Sequence, residues 1–273
     1  MKKHALIKIF VLSLCFILLI GTLCACDGGQ NEPEKEVNTQ DEIHIVENNI
    51  IVDITDYART LSNIDVPNQI NGVEILGIGM SVYSGCNNLK TITIAESVKT
   101  IGQEAFRTCM SLESVTFANN SNLEVIEQRA FTSCMALSNI NFGNNNHLER
   151  IGQEAFRYCT ALKNIIFPGK LVDIGNNAFE TCGLVSVVFP PSLKKIGSSA
   201  FALSQSLEEV TFNKGLEELG AFSFNSCFSL ASIKYTGTKA EWYAINRGAE
   251  WRGSGVPGKV VPAKNVVCSN GVV

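Results

Sequence analysis

The phrase Ile-Gly-x-x-Ala-Phe-x-x-Cys-x-x-Leu-x-x-Ile-x-Phe recurs along this chain at a period of 22 to 25 residues, and self-similarity at that period decides architecture before any local reading does. Aligned on their Gly position, the copies fall at Gly79, Gly102, Glu127, Gly152, Gly175, Gly197 and Gly220, which makes seven units. The outer copies drift. The first has Val82 and Tyr83 for Ala-Phe, the sixth has Ser204 for Cys, and the fifth loses one residue between Cys182 and Leu184. Apolar phase survives in all of them, so the expected fold is a repeat solenoid whose coils bury their faces only against one another.

In Leu112, Val115 and Phe117 the apolar residues alternate with polar Ser114 and Thr116, the pattern of a short strand with one buried face. Each unit supplies such a strand. Stacked at about 4.8 Å they would form a parallel sheet roughly 30 Å along the stacking axis. The Ala-Phe segment then returns the chain through a short helical or turn-like stretch, and Phe106, Phe131, Phe156, Phe179, Phe201 and Phe224 are expected to stack as an aromatic spine.

Ten cysteines in a chain with a leader invite a disulfide reading. However, Cys86, Cys109, Cys134, Cys159, Cys182 and Cys227 share one phase of the repeat, so their side chains point the same way. Parallel vectors make poor bridges, and no pair has the spacing of a structural zinc site. They read as buried thiols.

The ends differ from the middle. Lys2 and Lys3, an apolar run over 5–22, and Leu23-Cys24-Ala25-Cys26 have the anatomy of a secretory leader. The tetrapeptide resembles the bacterial lipobox, which implies a leader of residues 1–25 and a diacylglyceryl group on Cys26, with Cys24 at a position usually small or hydroxylic. Ordinary secretion and an uncleaved helix are the alternatives. Residues 26–44 are acidic, with Lys35 the one basic residue, and cannot bury enough apolar surface to fold. As a tether of 18 residues from Asp27 they would span on the order of 23 Å. Residues 45–78 are expected to cap the array, with Ile50, Val52 and Ile54 alternating and Asn71-Gly72 as a turn. The repeats occupy 79–235. Residues 236–273 close the far end, beginning with the capping box Thr238-Lys-Ala-Glu241 and a short helix carrying Trp242.

With these residues in place, the repeated phrase resembles the BspA-type leucine-rich repeat, over about 64–235. The closing Tyr-Thr-Gly-Thr-Lys-Ala-Glu-Trp-Tyr-Ala-Ile is similar to that family's usual ending. The resemblance implies an α/β-type leucine-rich-repeat solenoid, with parallel strands on the concave face and short helical or turn segments opposite. It also implies a place on a bacterial surface and a role in adhesion or partner binding. Function transfers poorly within such a family, because the shared residues are the buried ones.

Catalysis finds little support. After loss of the leader only His44 and His147 remain, and no HExxH, GxSxG or phosphate loop appears. His147 and Glu149 lie in an Asn-rich stretch that reads as a solvated loop. Without Lys2, Lys3 and Lys8 the formal charge of −4 becomes −7, and no basic cluster offers the footprint of a nucleic-acid binder. No catalytic residue, metal ligand or cofactor is expected, and the protein is expected to be monomeric and held at a membrane through Cys26. What remains is the outward side of the strands, where Ser114, Asn139, Asn164, Ser186 and Glu209 form one row and Thr116, Asn141, Ile166, Val188 and Thr211 another. Ile166 and Val188 stand side by side where nothing in the repeat demands an apolar residue. They reflect either β-propensity alone or the centre of a contact patch for a protein or glycan, with the Asn-rich turns at 119–122 and 144–146 near its edge. A structural scaffold of the envelope and a surface hydrolase are the other readings.

Overall fold

The computed structural model describes residues 42–145, 147–253, 263 and 265–273; the leader of 1–25, Cys26, the tether as far as 41, and Asn146 lie outside the described residues. The repeats build a solenoid with three sides. On one side lie the expected strands, Thr91–Ile94, Ser114–Phe117, Asn139–Asn141, Ser186–Val188, Glu209–Phe212 and Ser232–Tyr235. On a second side the residue pairs around each Ile-Gly form a ribbon of ten short strands, parallel throughout the repeats, such as Thr100–Ile101, Val125–Ile126 and Arg150–Ile151. The third side carries the Ala-Phe-x-x-Cys segment. Ile101, Ala105, Phe106, Cys109, Leu112 and Val115 of one coil are all completely buried, and their counterparts in the two adjoining coils are at most 7% exposed.

Gly follows Ile or Leu in every copy but the third, where Glu127 stands, and at these glycines successive coils touch. A Cβ on Gly175 would lie 2.6 Å from the backbone nitrogen of Gln153, and one on Gly152 would lie 2.7 Å from the carbonyl carbon of Glu127. The third side is made of turns, with no helix among its described residues. Two residues per coil sit in the left-handed region there, for example Glu104 (φ 56°) with Thr108 (57°), and Glu154 (56°) with Tyr158 (65°). Left-handed backbone costs a non-Gly residue about 1–2 kcal/mol. Its return is a hydrogen-bond ladder in which alternate N–H groups all point to the next coil. Glu104 donates to Gln128, Phe106 to Ala130 and Thr108 to Thr132, at 2.8–3.0 Å.

The aromatic spine forms as expected and extends one coil further, to Tyr83. Neighbouring rings from Tyr83 to Phe224 stack with centroids 4.9–5.3 Å apart and planes within 9°. The cysteines among the described residues are unbridged and buried, and each repeat cysteine after Cys86 has a task. Cys109 Sγ donates to the carbonyl of Tyr83 (3.0 Å), Cys134 to Phe106 (3.0 Å), Cys159 to Phe131 (3.3 Å), Cys182 to Phe156 (3.0 Å) and Cys227 to Phe201 (3.1 Å). Ser204 Oγ makes the same bond to Phe179 (3.0 Å). The phase therefore selects a small donor, which explains why Ser replaces Cys there.

The start departs in detail from the sequence reading, and the far end follows it. At the start, Ile43 and His44 are already buried, and His44 Nε2 lies 2.6 Å from the Tyr83 hydroxyl, so the folded part begins before residue 45. In strand Ile50–Ile54 the buried residues are Ile51 and Ile54, while Val52 faces solvent. Pairing of Ile51 with Ile78, and a bulge at Ile45/Val46 in the partner strand, set that phase. Asn71 and Gly72 form the turn, both at positive φ, between Gln69–Ile70 and Val73–Glu74. At the far end Thr238 and Glu241 close the capping box on helix Lys239–Ala244. Trp242 packs against Phe212 and Tyr235, and Val266–Cys268 adds a parallel strand to Ser232–Tyr235.

Candidate binding face and its seam

The strand face was expected to be one continuous sheet. It is two, because the fourth coil contributes no strand: Asn63–Val66, Thr91–Ile94, Ser114–Phe117 and Asn139–Asn141 pair with one another, and a second sheet starts at Ser186–Val188. Between these lie residues 164–167. Toward the third coil, backbone pairing stops after Ala161 N–H to Met135 (3.2 Å) and resumes at Val172 N–H to Glu149 (2.9 Å). Toward the fifth coil, Val185 N–H to Lys163 (3.0 Å) is followed by nothing until Lys194 N–H to Val172 (2.9 Å).

Two sequence features produce this seam. Ala118 N–H donates to Ile94 (2.9 Å) and Thr236 N–H to Phe212 (3.0 Å) at the end of their strands. The same position in the fourth and fifth coils is Pro168 and Pro190, which have no N–H to give and are confined to edges and irregularities of sheets. The one-residue loss in the fifth coil adds to it. Gly183 is drawn so close to the fourth coil that a Cβ there would lie 2.1 Å from the Thr160 carbonyl oxygen. Inside, the sheet-side rings stack from Phe117 to Phe142 (5.6 Å) and again from Phe167 to Phe189 (5.8 Å), with no ring contact from Phe142 to Phe167.

The predicted binding residues divide accordingly. Ser114, Thr116, Glu209 and Thr211 are half-buried, each shielded by neighbours in a paired sheet. Asn139, Asn141, Asn164, Ile166, Ser186 and Val188 are exposed around the seam, with Ile166 at 87% and Val188 at 62%. Two clefts flank residues 164–167. One, of about 340 Å³, lies between Asn139, Asn141 and Gly143 and the segment itself. The other, of about 640 Å³, reaches Ser186, Val188, Pro190 and Asn213. Neither has a charged lining residue. By contrast, Glu209 is paired with Lys234 at 2.7 Å on the neighbouring strands. The turn side carries a charged ladder, in which Arg129 pairs with Glu154 (3.0 Å) and Arg157 with Glu180 (2.7 Å). Hydrogen bonding from Arg129 holds the Glu154 carboxyl below its ordinary range.

The Asn-rich turns are partly internal. Asn145 is buried, donates to the Leu123 carbonyl (3.0 Å), and accepts from His147 N–H (2.7 Å) and Leu148 N–H (2.8 Å). Its side chain braces the turn and is not available to a ligand. His147 and Glu149 are exposed. Burial pushes the Cys227 thiol up to about 12 and those of Cys134 and Cys159 well above the ordinary value, the opposite of what a nucleophilic thiolate needs. Among the described residues no group of three His, Cys, Asp or Glu side chains is placed to hold a metal ion.

A family model described as the BspA type leucine rich repeat region matches residues 52–147 and 145–244, with six copies. Among solved structures, the chain is similar to a leucine rich repeat protein of T. pallidum, at 26% identity and a TM-score of 0.50, covering 73% of this chain and 77% of that one. It also matches a leucine rich cell surface protein of Faecalibacterium prausnitzii, at 21% identity and a TM-score of 0.47, covering 75% of this chain and 70% of that one. No curated protein sequence matches it.

Proposed function

Because the chain belongs to the BspA-type leucine-rich-repeat family, we propose that it is a non-catalytic binding protein of a bacterial envelope. In this reading it is anchored by lipid on Cys26 and captures a protein or glycan partner on its strand face. The observation that carries the reading is the seam. Around residues 164–167 the pairing between coils lapses, and the strand face leaves Ile166 and Val188 exposed beside two uncharged clefts. Contact surfaces draw most of their energy from a few apolar anchors ringed by uncharged polar groups, and Asn139, Asn141 and Asn164 supply such a ring. Lipid at Cys26 fits the leader read from the sequence, since two or three acyl chains anchor stably where one does not.

The test is a panel of immobilised matrix proteins and neutral glycans probed with the wild-type chain and with Ile166→Glu/Val188→Lys. Capture lost in the double variant at unchanged melting temperature is the expected result. Capture equal in both would remove the seam as the binding surface. Incorporation of labelled palmitate, abolished by Cys26→Ala, checks the anchor.

A further inference from the structure

Residues 164–167 hold four consecutive N–H and four consecutive C=O groups with no hydrogen-bond partner among the described residues. Elsewhere in the strand face these groups are consumed by pairing between coils. Buried or half-buried peptide groups are almost always paired, and an unpaired strand is a template for another chain unless it is blunted by charge, a bulge or a covering element. Here Pro168 and Pro190 stop pairing to the neighbouring coils, but no charge or covering element closes the segment to another chain. No charged residue lines either flanking cleft, and Ile166 and Val188 add apolar surface on each side of the larger one.

From this geometry we infer that the seam takes an extended, uncharged polypeptide segment, which lies along residues 164–167 and supplies partners for their free peptide groups. The inference rests on the strand face being the binding face and names the class of its ligand. Only an extended backbone presents N–H and C=O groups alternately at strand spacing, with side chains that alternate to reach pockets such as the one between Ile166 and Val188. A charged ligand finds no counter-charge in the clefts. A sugar finds no exposed ring to stack on, because Phe142, Phe167 and Phe189 are each at most 7% exposed. Pro168 keeps the boundary toward the third coil open, since another residue there offers an N–H to the Phe142 carbonyl, as Ala118 does to Ile94, while Pro190 and the shortened fifth coil act at the other boundary.

A random linear-peptide phage library, panned on the full chain with Ile166→Glu/Val188→Lys as the counter-selection, tests this. A selected peptide is then synthesised with each backbone nitrogen methylated in turn, while the chain's amide hydrogen exchange is followed. Methylation at alternate positions should weaken binding tenfold or more, and exchange at residues 164–167 should slow by at least tenfold when the peptide is bound. Pro168→Ala, which leaves every exposed side chain in place, should close the seam on its third-coil side, slow amides of 164–167 without ligand, and weaken peptide binding tenfold.

Binding indifferent to every methylation, or unchanged exchange at 164–167, would overturn the inference, as would a Pro168→Ala chain that closes the seam and binds as well as wild type. If no peptide is selected while a neutral glycan is captured in a manner sensitive to Ile166→Glu/Val188→Lys, the binding face stands and its polypeptide ligand falls. If neither ligand class responds to the double substitution, both fall.

Discussion

Phe156→Ala tests the seam and the spine together. Phe156 is completely buried, with Phe131 and Phe179 stacked on its two faces at 5.1 Å each. Truncating such a ring costs about 3–5 kcal/mol through lost transfer energy and a cavity, which includes about 0.5–1.5 kcal/mol for each stacked pair. The same loss is expected for Phe106→Ala, whose ring is as buried and as stacked. The two variants should nevertheless unfold differently. Phe106 touches boundaries where the strand face is paired, whereas the boundary between the third and fourth coils has no pairing on that face and no Phe142–Phe167 ring contact. There the Phe131–Phe156 stack, the Ile126–Ile151 ribbon pairing and the turn ladder hold the coils together. In a nearest-neighbour array, weakening an already thin boundary uncouples the blocks on either side. The chain's two tryptophans, Trp242 and Trp251, both lie in the block after the seam, so fluorescence follows that block while far-UV circular dichroism follows both. Urea unfolding should give coincident curves by the two probes in wild type and in Phe106→Ala, and separated curves in Phe156→Ala. Coincident curves in Phe156→Ala, or a loss below about 1 kcal/mol, would refute the reasoning.

Two further outcomes are expected. Cys134→Ser should be tolerated better than Cys134→Ala, because Ser keeps a donor for the Phe106 carbonyl, now 3.0 Å from Sγ. The Ala variant removes one of two bonds to that carbonyl, which keeps the Cys109 N–H at 3.2 Å, so it should lose about 0.5–1.5 kcal/mol of unfolding free energy in urea, and the reverse order would count against the thiol ladder. Acid should loosen the far cap. Glu241 is held down to about 2 by hydrogen bonding from Lys214 and by the Thr238 cap. Because the folded value is depressed, its contribution is complete above the ordinary value of about 4.3 and fades as pH falls toward the folded one. Glu241→Gln should therefore differ from wild type at pH 6 and converge with it as the pH approaches 2, read by Trp242 fluorescence. A constant difference across that range would exclude the ion pair as the cause.

Much of the solenoid was legible because its buried positions are chosen by volume and polarity, which a sequence displays. Phe106 through Phe224 and the cysteine phase belong to this class. The left-handed residues were not legible, since Glu104, Arg129, Tyr158 and Leu203 are not types that announce positive φ. Coil closure imposes that conformation through the three N–H bonds it gains. The seam was half legible. The shortened fifth coil was noticed as drift, but its meaning depends on Pro168 and Pro190 standing where an N–H is needed, and that need belongs to the neighbouring coil. In the candidate site, Ile166 and Val188 stood out as apolar residues at outward positions. The clefts beside them did not, because a missing hydrogen bond leaves no letter in the sequence.

The turn side has an orientation as well as a period. Its N–H groups face the following coil at every boundary, ending where Phe222 and Phe224 donate to Ala249 and Trp251 of the cap. Each coil is thus a plug toward its successor and a socket toward its predecessor. A coil copied within the array meets a compatible neighbour on either hand, so the length of such a protein can change by whole units. The two caps cannot trade places: the last must bring acceptors to this side, and at the first coil it is carbonyls that face outward.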